Sequence, residues 1–187
     1  MKARSQNFIV YAATLVLVMG CVFSFAPAPK TSALEGVPSL LITEIIPNTD
    51  NYAGSDAFEY LEIYNNSDQP IDLKGYRIQS GNMNAVISDP LIIEPWSTHL
   101  FWTRTSQVQP ISLEAFNHNY FSSYKSKYMN ENQIRMLDNV PGIVNGGQTI
   151  KLLNPQGIEV IKVVYTGADV LLKNQLNSDI RKTGAQR

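Results

Sequence analysis

The chain has 187 residues, 44% of them hydrophobic, with 15 Lys+Arg and 16 Asp+Glu. Lys2, Arg4 and Lys30 precede residue 34, so residues 34–187 carry 12 basic and 16 acidic side chains. This acidic balance argues against a broad basic face for nucleic acid, because non-specific phosphate binding is driven by clustered Lys and Arg. The single cysteine, Cys21, lies near the N-terminus, so no disulfide forms within residues 34–187. About 150 residues are enough to bury one core without such a bond, and one domain is expected at this length.

Residues 1–33 read as an address. Lys2 and Arg4 form a short positive region, Phe8 to Phe25 contains no charge, and Thr31-Ser32-Ala33 offers small residues to a signal peptidase. This is the layout of a secretory signal peptide, helical before cleavage. Two other readings stay open. The apolar run is just long enough for an uncleaved membrane anchor. Val18-Met19-Gly20-Cys21 also resembles a lipobox, which would place a lipid on Cys21, although the residues after Cys21 are apolar where a lipoprotein has a polar tether. All three readings put the body of the protein outside the cytoplasm, with the membrane touched only through this segment, and the layout looks bacterial. Residues 34–38 then serve as a linker, 39–181 as the domain and 182–187 as a frayed polar tail.

The domain opens with an apolar strand, Leu40 to Ile46, and a polar loop. A strictly alternating strand follows. Phe58, Tyr60, Glu62 and Tyr64 lie on one side of it, and Glu59, Leu61, Ile63 and Asn65 on the other. Ser67-Asp68-Gln69-Pro70 is turn chemistry, and Ile71, Leu73, Tyr76 and Ile78 resume the apolar pattern. Ala85 to Ser88 predicts a short edge strand. Pro90 and Pro95 bracket an apolar run, and each is expected at a strand end because proline cannot donate to a ladder. Thr98 to Thr103 is β-branched and aromatic. Ser112 to Phe116 predicts one short helix with Ser112 as its N-cap, and Tyr120 to Lys127 reads as an ordered loop. Gln133 to Leu137 predicts a strand. Gln148 to Leu153 and Glu159 to Tyr165 predict a hairpin closed by Asn154-Pro155-Gln156-Gly157. Eight or nine strands at this spacing predict an all-β sandwich or barrel with one short helix.

The ordered motifs are more specific than the apolar skeleton. They are Leu41-Ile42-Thr43-Glu44-Ile45, Glu59-Tyr60-Leu61-Glu62-Ile63-Tyr64-Asn65, Ile71-Asp72-Leu73-Lys74-Gly75-Tyr76-Arg77-Ile78, Ile92-Ile93-Glu94-Pro95 with Leu100-Phe101-Trp102, and Val144 to Asn154 with Gly157. Ser178-Asp179-Ile180-Arg181 is a weaker echo of a last short strand. Together, over residues 38–181, they resemble the lamin tail domain family in its bacterial secreted form. The resemblance implies an immunoglobulin-like β-sandwich, a non-catalytic role and no cofactor. Its bacterial relatives often stand beside nuclease or metallophosphatase domains, which implies targeting or docking. Residues 104–143 depart from it, being longer and more aromatic than in a minimal member.

Several residue groups invite a chemical reading. Glu59 and Glu62 point to opposite faces of one strand and cannot form an acid–base pair, whereas Glu44 and Glu62 could meet across neighbouring strands as a hydrolase would need. The oxygen-rich loop Asn48 to Asp56, with Asp50 and Asp56, offers calcium-type ligands without EF-hand spacing. His99 and His118 lack the companions a zinc site requires. There is no GxSxG elbow and no glycine-rich phosphate loop. Among the aromatics, Trp96, Phe101 and Phe116 are expected in the core. Tyr120, Tyr124 and Tyr128, with Lys125 and Lys127 among them, are the candidate binding surface for a protein, a glycan or a cell-envelope polymer. A secreted binding or adaptor module is the reading this supports. The alternative is the N-terminal domain of a longer secreted phosphodiesterase or nuclease.

Overall fold

A computed structural model describes residues 37–167. The expected signal region with Cys21, the expected last strand at Ser178–Arg181 and the expected tail at 182–187 lie outside the described residues. The strands are β1 (Leu40–Ile46), β2 (Asn51–Tyr52), β3 (Ser55–Asp56), β4 (Tyr60–Asn65), β5 (Ile71–Asp72), β6 (Arg77–Ser80), β7 (Met83–Val86), β8 (Ile92–Ile93) and β9 (Thr98–Arg104). Helix α1 (Leu113–Phe121) and a 3-10 turn at Lys125–Lys127 follow, then β10 (Ile134–Asp138), β11 (Gly147–Leu153) and β12 (Glu159–Thr166).

Two four-stranded sheets form the sandwich, in the orders β1-β4-β9-β10 and β12-β11-β6-β7; β2-β3 and β5-β8 are short accessory ribbons. The alternation in β4 decides which side chains meet between the sheets. Leu61, Ile63 and Asn65 are fully buried. With Phe101 and Leu137 of the first sheet, Leu61 and Ile63 pack in one cluster with Ile78, Ala85, Ile150 and Leu152 of the second. Each such chain withdraws apolar surface worth roughly 1.5–3 kcal/mol from water.

The first sheet is covered on its other face as well. Tyr60, Leu100, Trp102 and Ile134 pack with Phe116 of α1 in a second cluster. β10 runs parallel to β9, with Ile134 opposite Leu100 and Asp138 opposite Arg104. Parallel neighbours need a long crossover, and residues 105–133 supply it with α1 laid over the sheet. The long aromatic departure in the sequence is thus a third layer. No helix among the described residues is long and apolar enough to cross a membrane.

Two expectations need correction. Helix α1 runs on to Phe121, so Tyr120 and Phe121 are helical rather than loop. Ser112 caps it, accepting the Ala115 N–H at 3.2 Å, and Phe116 and Tyr120, four residues apart, land together on the sheet with ring centroids 4.9 Å apart. Trp96 is not in the core. It is 46% exposed, on a turn with φ +56°. Phe101 and Phe116 are fully buried as expected.

Candidate functional site

Antiparallel pairing places Glu44 of β1 directly opposite Glu62 of β4, on the outer face of the first sheet. Both carboxylates already hold hydroxyls. Tyr60 donates to Glu44 Oε2 at 2.7 Å, and Thr43 donates to Glu62 Oε1. Burial, then the neighbouring Glu44 carboxylate, pushes the Tyr60 phenol well above its ordinary range. The pair therefore acts as a cross-strand hydrogen-bonding ladder.

Glu59, on the opposite face, is buried. Its Oε2 accepts the Ile143 N–H at 3.1 Å. Burial raises its pKa to about 8; Asp56 adds to the rise, while the Ile143 N–H and the Thr103 hydroxyl oppose it. Burial thus favours the protonated form, and the carboxyl organises the chain between β10 and β11 through Ile143. The sequence placed Glu59 correctly on the inner face but gave no sign of its partner 84 residues away.

The loop with the calcium-type residues is tied to protein. Asp56 Oδ1 accepts the Thr49 N–H at 2.8 Å and Oδ2 accepts Asn145 Nδ2 at 3.0 Å. Asp50 is exposed, and its carbonyl accepts the Ala57 N–H at 2.9 Å. Among the described residues no group of three His, Cys, Asp or Glu side chains is arranged to hold a metal ion. His99 is buried on β9 with its ring against Phe101, and burial followed by the charge of Arg135 lowers its pKa to about 4. His118 is exposed on α1.

The aromatic–basic segment divides in two. Tyr120 is structural: its hydroxyl donates to the Phe58 carbonyl at 2.7 Å, and its ring meets Tyr60 edge-on at 5.2 Å. Tyr124 is 63% exposed at the start of the 3-10 turn, with Lys127 Nζ 5.5 Å from its ring centroid. Lys125 and Lys127 are exposed and Tyr128 is half-buried. What remains at the surface is a compact knob of Tyr124, Lys125 and Lys127, with Tyr128 at its foot. Sequence reasoning missed Asn117, buried on α1, which donates to the Met129 carbonyl and accepts the Met129 N–H, both at 2.8 Å. Those bonds fix the return of the chain behind the knob.

Comparison with known proteins agrees with this architecture. A curated relative, the uncharacterized protein YvnB of Bacillus subtilis (strain 168), is 28% identical over 120 residues. The match covers 60% of this chain and 9% of that much longer protein. The model of the Lamin Tail Domain matches residues 35–167, which takes in both sheets and the helix-bearing crossover. With that match over most of its length, the chain belongs to the Lamin Tail Domain family.

Proposed function

We propose that this protein is a secreted or cell-surface binding and adaptor module that works without catalysis. Membership of a family of non-catalytic immunoglobulin-like domains supports the reading. The observation that carries it is the contrast between tethered and displayed groups. Glu44, Glu59, Glu62 and Asp56 are each engaged by a hydroxyl, backbone or amide donor of the fold. Tyr124, Lys125 and Lys127 instead stand out on the crossover as a stacking and cationic contact of the kind interfaces favour. The partner is a protein, a glycan or another envelope polymer.

Two measurements test this. The intact mass of the native protein in the medium and envelope fractions reads the address: a species shortened near Ala33, or one carrying lipid on Cys21, supports it, and an unprocessed cytoplasmic product overturns it. Retention on isolated envelopes reads the contact. The triple variant Tyr124→Ala, Lys125→Ala, Lys127→Ala is expected to lose retention while remaining folded.

A second reading has its own observation. Since the match spans 9% of its curated relative, this fold also occurs inside a far longer chain. The module would then be a targeting domain for a secreted metallophosphatase or nuclease. Fusing it to an inert reporter and finding no change in the reporter's location would count against that role.

A further inference from the structure

Glu94, Pro95, Trp96 and Ser97 form a tight turn ahead of β9. The Ser97 N–H donates to the Glu94 carbonyl at 3.2 Å, and the Ser97 hydroxyl to the Pro95 carbonyl at 3.2 Å. Proline at the second place is usual for such a turn, and the third place, with positive φ, is normally glycine. Here it is Trp96 at φ +56°. A bulky side chain in the left-handed region strains the backbone. Among the described residues the other non-glycines with positive φ are Ala53, small and beside Gly54, and Asn139, a type that tolerates this conformation.

Burial offsets the strain only in part, because Trp96 remains 46% exposed. The turn is also firmly mounted. Fully buried Asn65 donates its amide N–H groups to the carbonyls of Ile93 (2.9 Å) and Glu94 (3.1 Å), and its backbone N–H to that of Ser97 (2.9 Å). The same amide holds the Gln69 carbonyl at 2.7 Å, drawing the turn at Ser67–Gln69 alongside. The sequence therefore keeps a rigidly mounted, exposed indole at a position where glycine would relieve the backbone.

The surroundings select the ligand. Glu94, Ser97, Asp68 and Gln69 bring carboxylate, hydroxyl and amide groups to the two adjoining turns. The two carboxylates disfavour phosphate polymers and anionic lipid surfaces. An exposed indole with hydrogen-bonding residues on the adjoining turns suits a pyranose, which has a C–H face and a rim of hydroxyls. We propose that Trp96 is a stacking platform for a neutral glycan chain, with Glu94 and Gln69 receiving its hydroxyls. This deepens the binding-module reading and rests on it.

The chain has two tryptophans, and Trp102 is fully buried. Trp102 therefore gives a buried background, and a ligand-induced change in emission that disappears in Trp96→Gly belongs to Trp96. The test titrates the full chain with β-1,4-linked glucose and N-acetylglucosamine oligosaccharides and with purified peptidoglycan. A saturable change in emission is expected, with binding weakened at least roughly tenfold in Trp96→Gly and less in Trp96→Phe. The thermal midpoint of Trp96→Gly is expected to be unchanged or higher, because glycine removes the strain. Equal binding by Trp96→Gly, a midpoint lowered by several degrees in that variant, or no binding of any saccharide by the wild type overturns the inference. If no saccharide binds but isolated envelopes still retain the protein, its partner is a protein or another envelope polymer and only this inference falls. If envelopes do not retain it either, the module reading falls too.

Discussion

The carboxyl of Glu59 accepts the backbone N–H of Ile143 at 3.1 Å, joining the start of β4 to the connection between β10 and β11. Gly142 makes room for it: a β-carbon there would lie 2.4 Å from Glu59 Oε2. One buried acid thus positions a segment that has no regular structure of its own. Gly142→Ala is expected to destabilise the fold by about 1–3 kcal/mol, read by urea unfolding, because the acid would have to leave its donor.

The same acid makes stability depend on pH. Its folded pKa is about 8 against an ordinary 4.5, so the folded state holds the proton more tightly than the unfolded one. The stabilisation is complete below about 4.5 and is lost as pH rises through about 8. His99 acts in the opposite sense: its folded pKa is lowered from 6.5 to about 4, so it removes stability as pH falls through that interval. Between pH 6.5 and 8 the Glu59 effect therefore stands apart from that of His99. Unfolding free energy should fall over this range by up to about 1.4 kcal/mol per pH unit, and Glu59→Gln should flatten the slope. An unchanged slope in the variant would refute this assignment.

The two N–H bonds of the Asn65 amide serve three carbonyls, those of Gln69, Ile93 and Glu94, so one of them is shared. Asn65→Ala leaves these acceptors without their donor at a buried site. A loss of about 2–4 kcal/mol in chemical denaturation is expected, at an unaltered m-value.

Phe116 is fully buried between Trp102, at a centroid distance of 4.8 Å, and Tyr60, at 6.0 Å. Phe116→Ala should cost about 3–5 kcal/mol. Near-ultraviolet dichroism is expected to show loosened aromatic packing. Tyr124→Ala, by contrast, removes an exposed ring and should change stability by less than about 0.5 kcal/mol. Comparable losses in the two variants would contradict the division of the aromatic segment into packing and display.

Much of this architecture was legible in the residues. The alternation from Phe58 to Asn65 assigned both faces of β4, and the polar turn at Asn154–Gly157 located the final hairpin. Glu44 and Glu62 do face each other, as strand adjacency allowed, but their hydroxyl partners depend on register that no local pattern states. The misreadings share a cause. The sequence around Tyr120 lacks a helical signal because α1 is polar and aromatic together and owes its placement to the sheet beneath it and to the Asn117–Met129 bonds. Hydrophobic size, the usual guide to burial, points Trp96 to the core, and an indole in a turn position suited to glycine contradicts it.

The crossover of residues 105–133 bears on how the protein is made. β9 is synthesised before α1, so Tyr60, Leu100 and Trp102 have no cover on that face until the helix arrives. The aromatic surface of a half-formed sheet is then open to any other chain in the same state. Closing the parallel β9–β10 pair also waits on ordering the whole connection, a slow class of step. Docking of the third layer over Tyr60, Leu100 and Trp102 is thus the step that closes the most aromatic face of the fold to other chains.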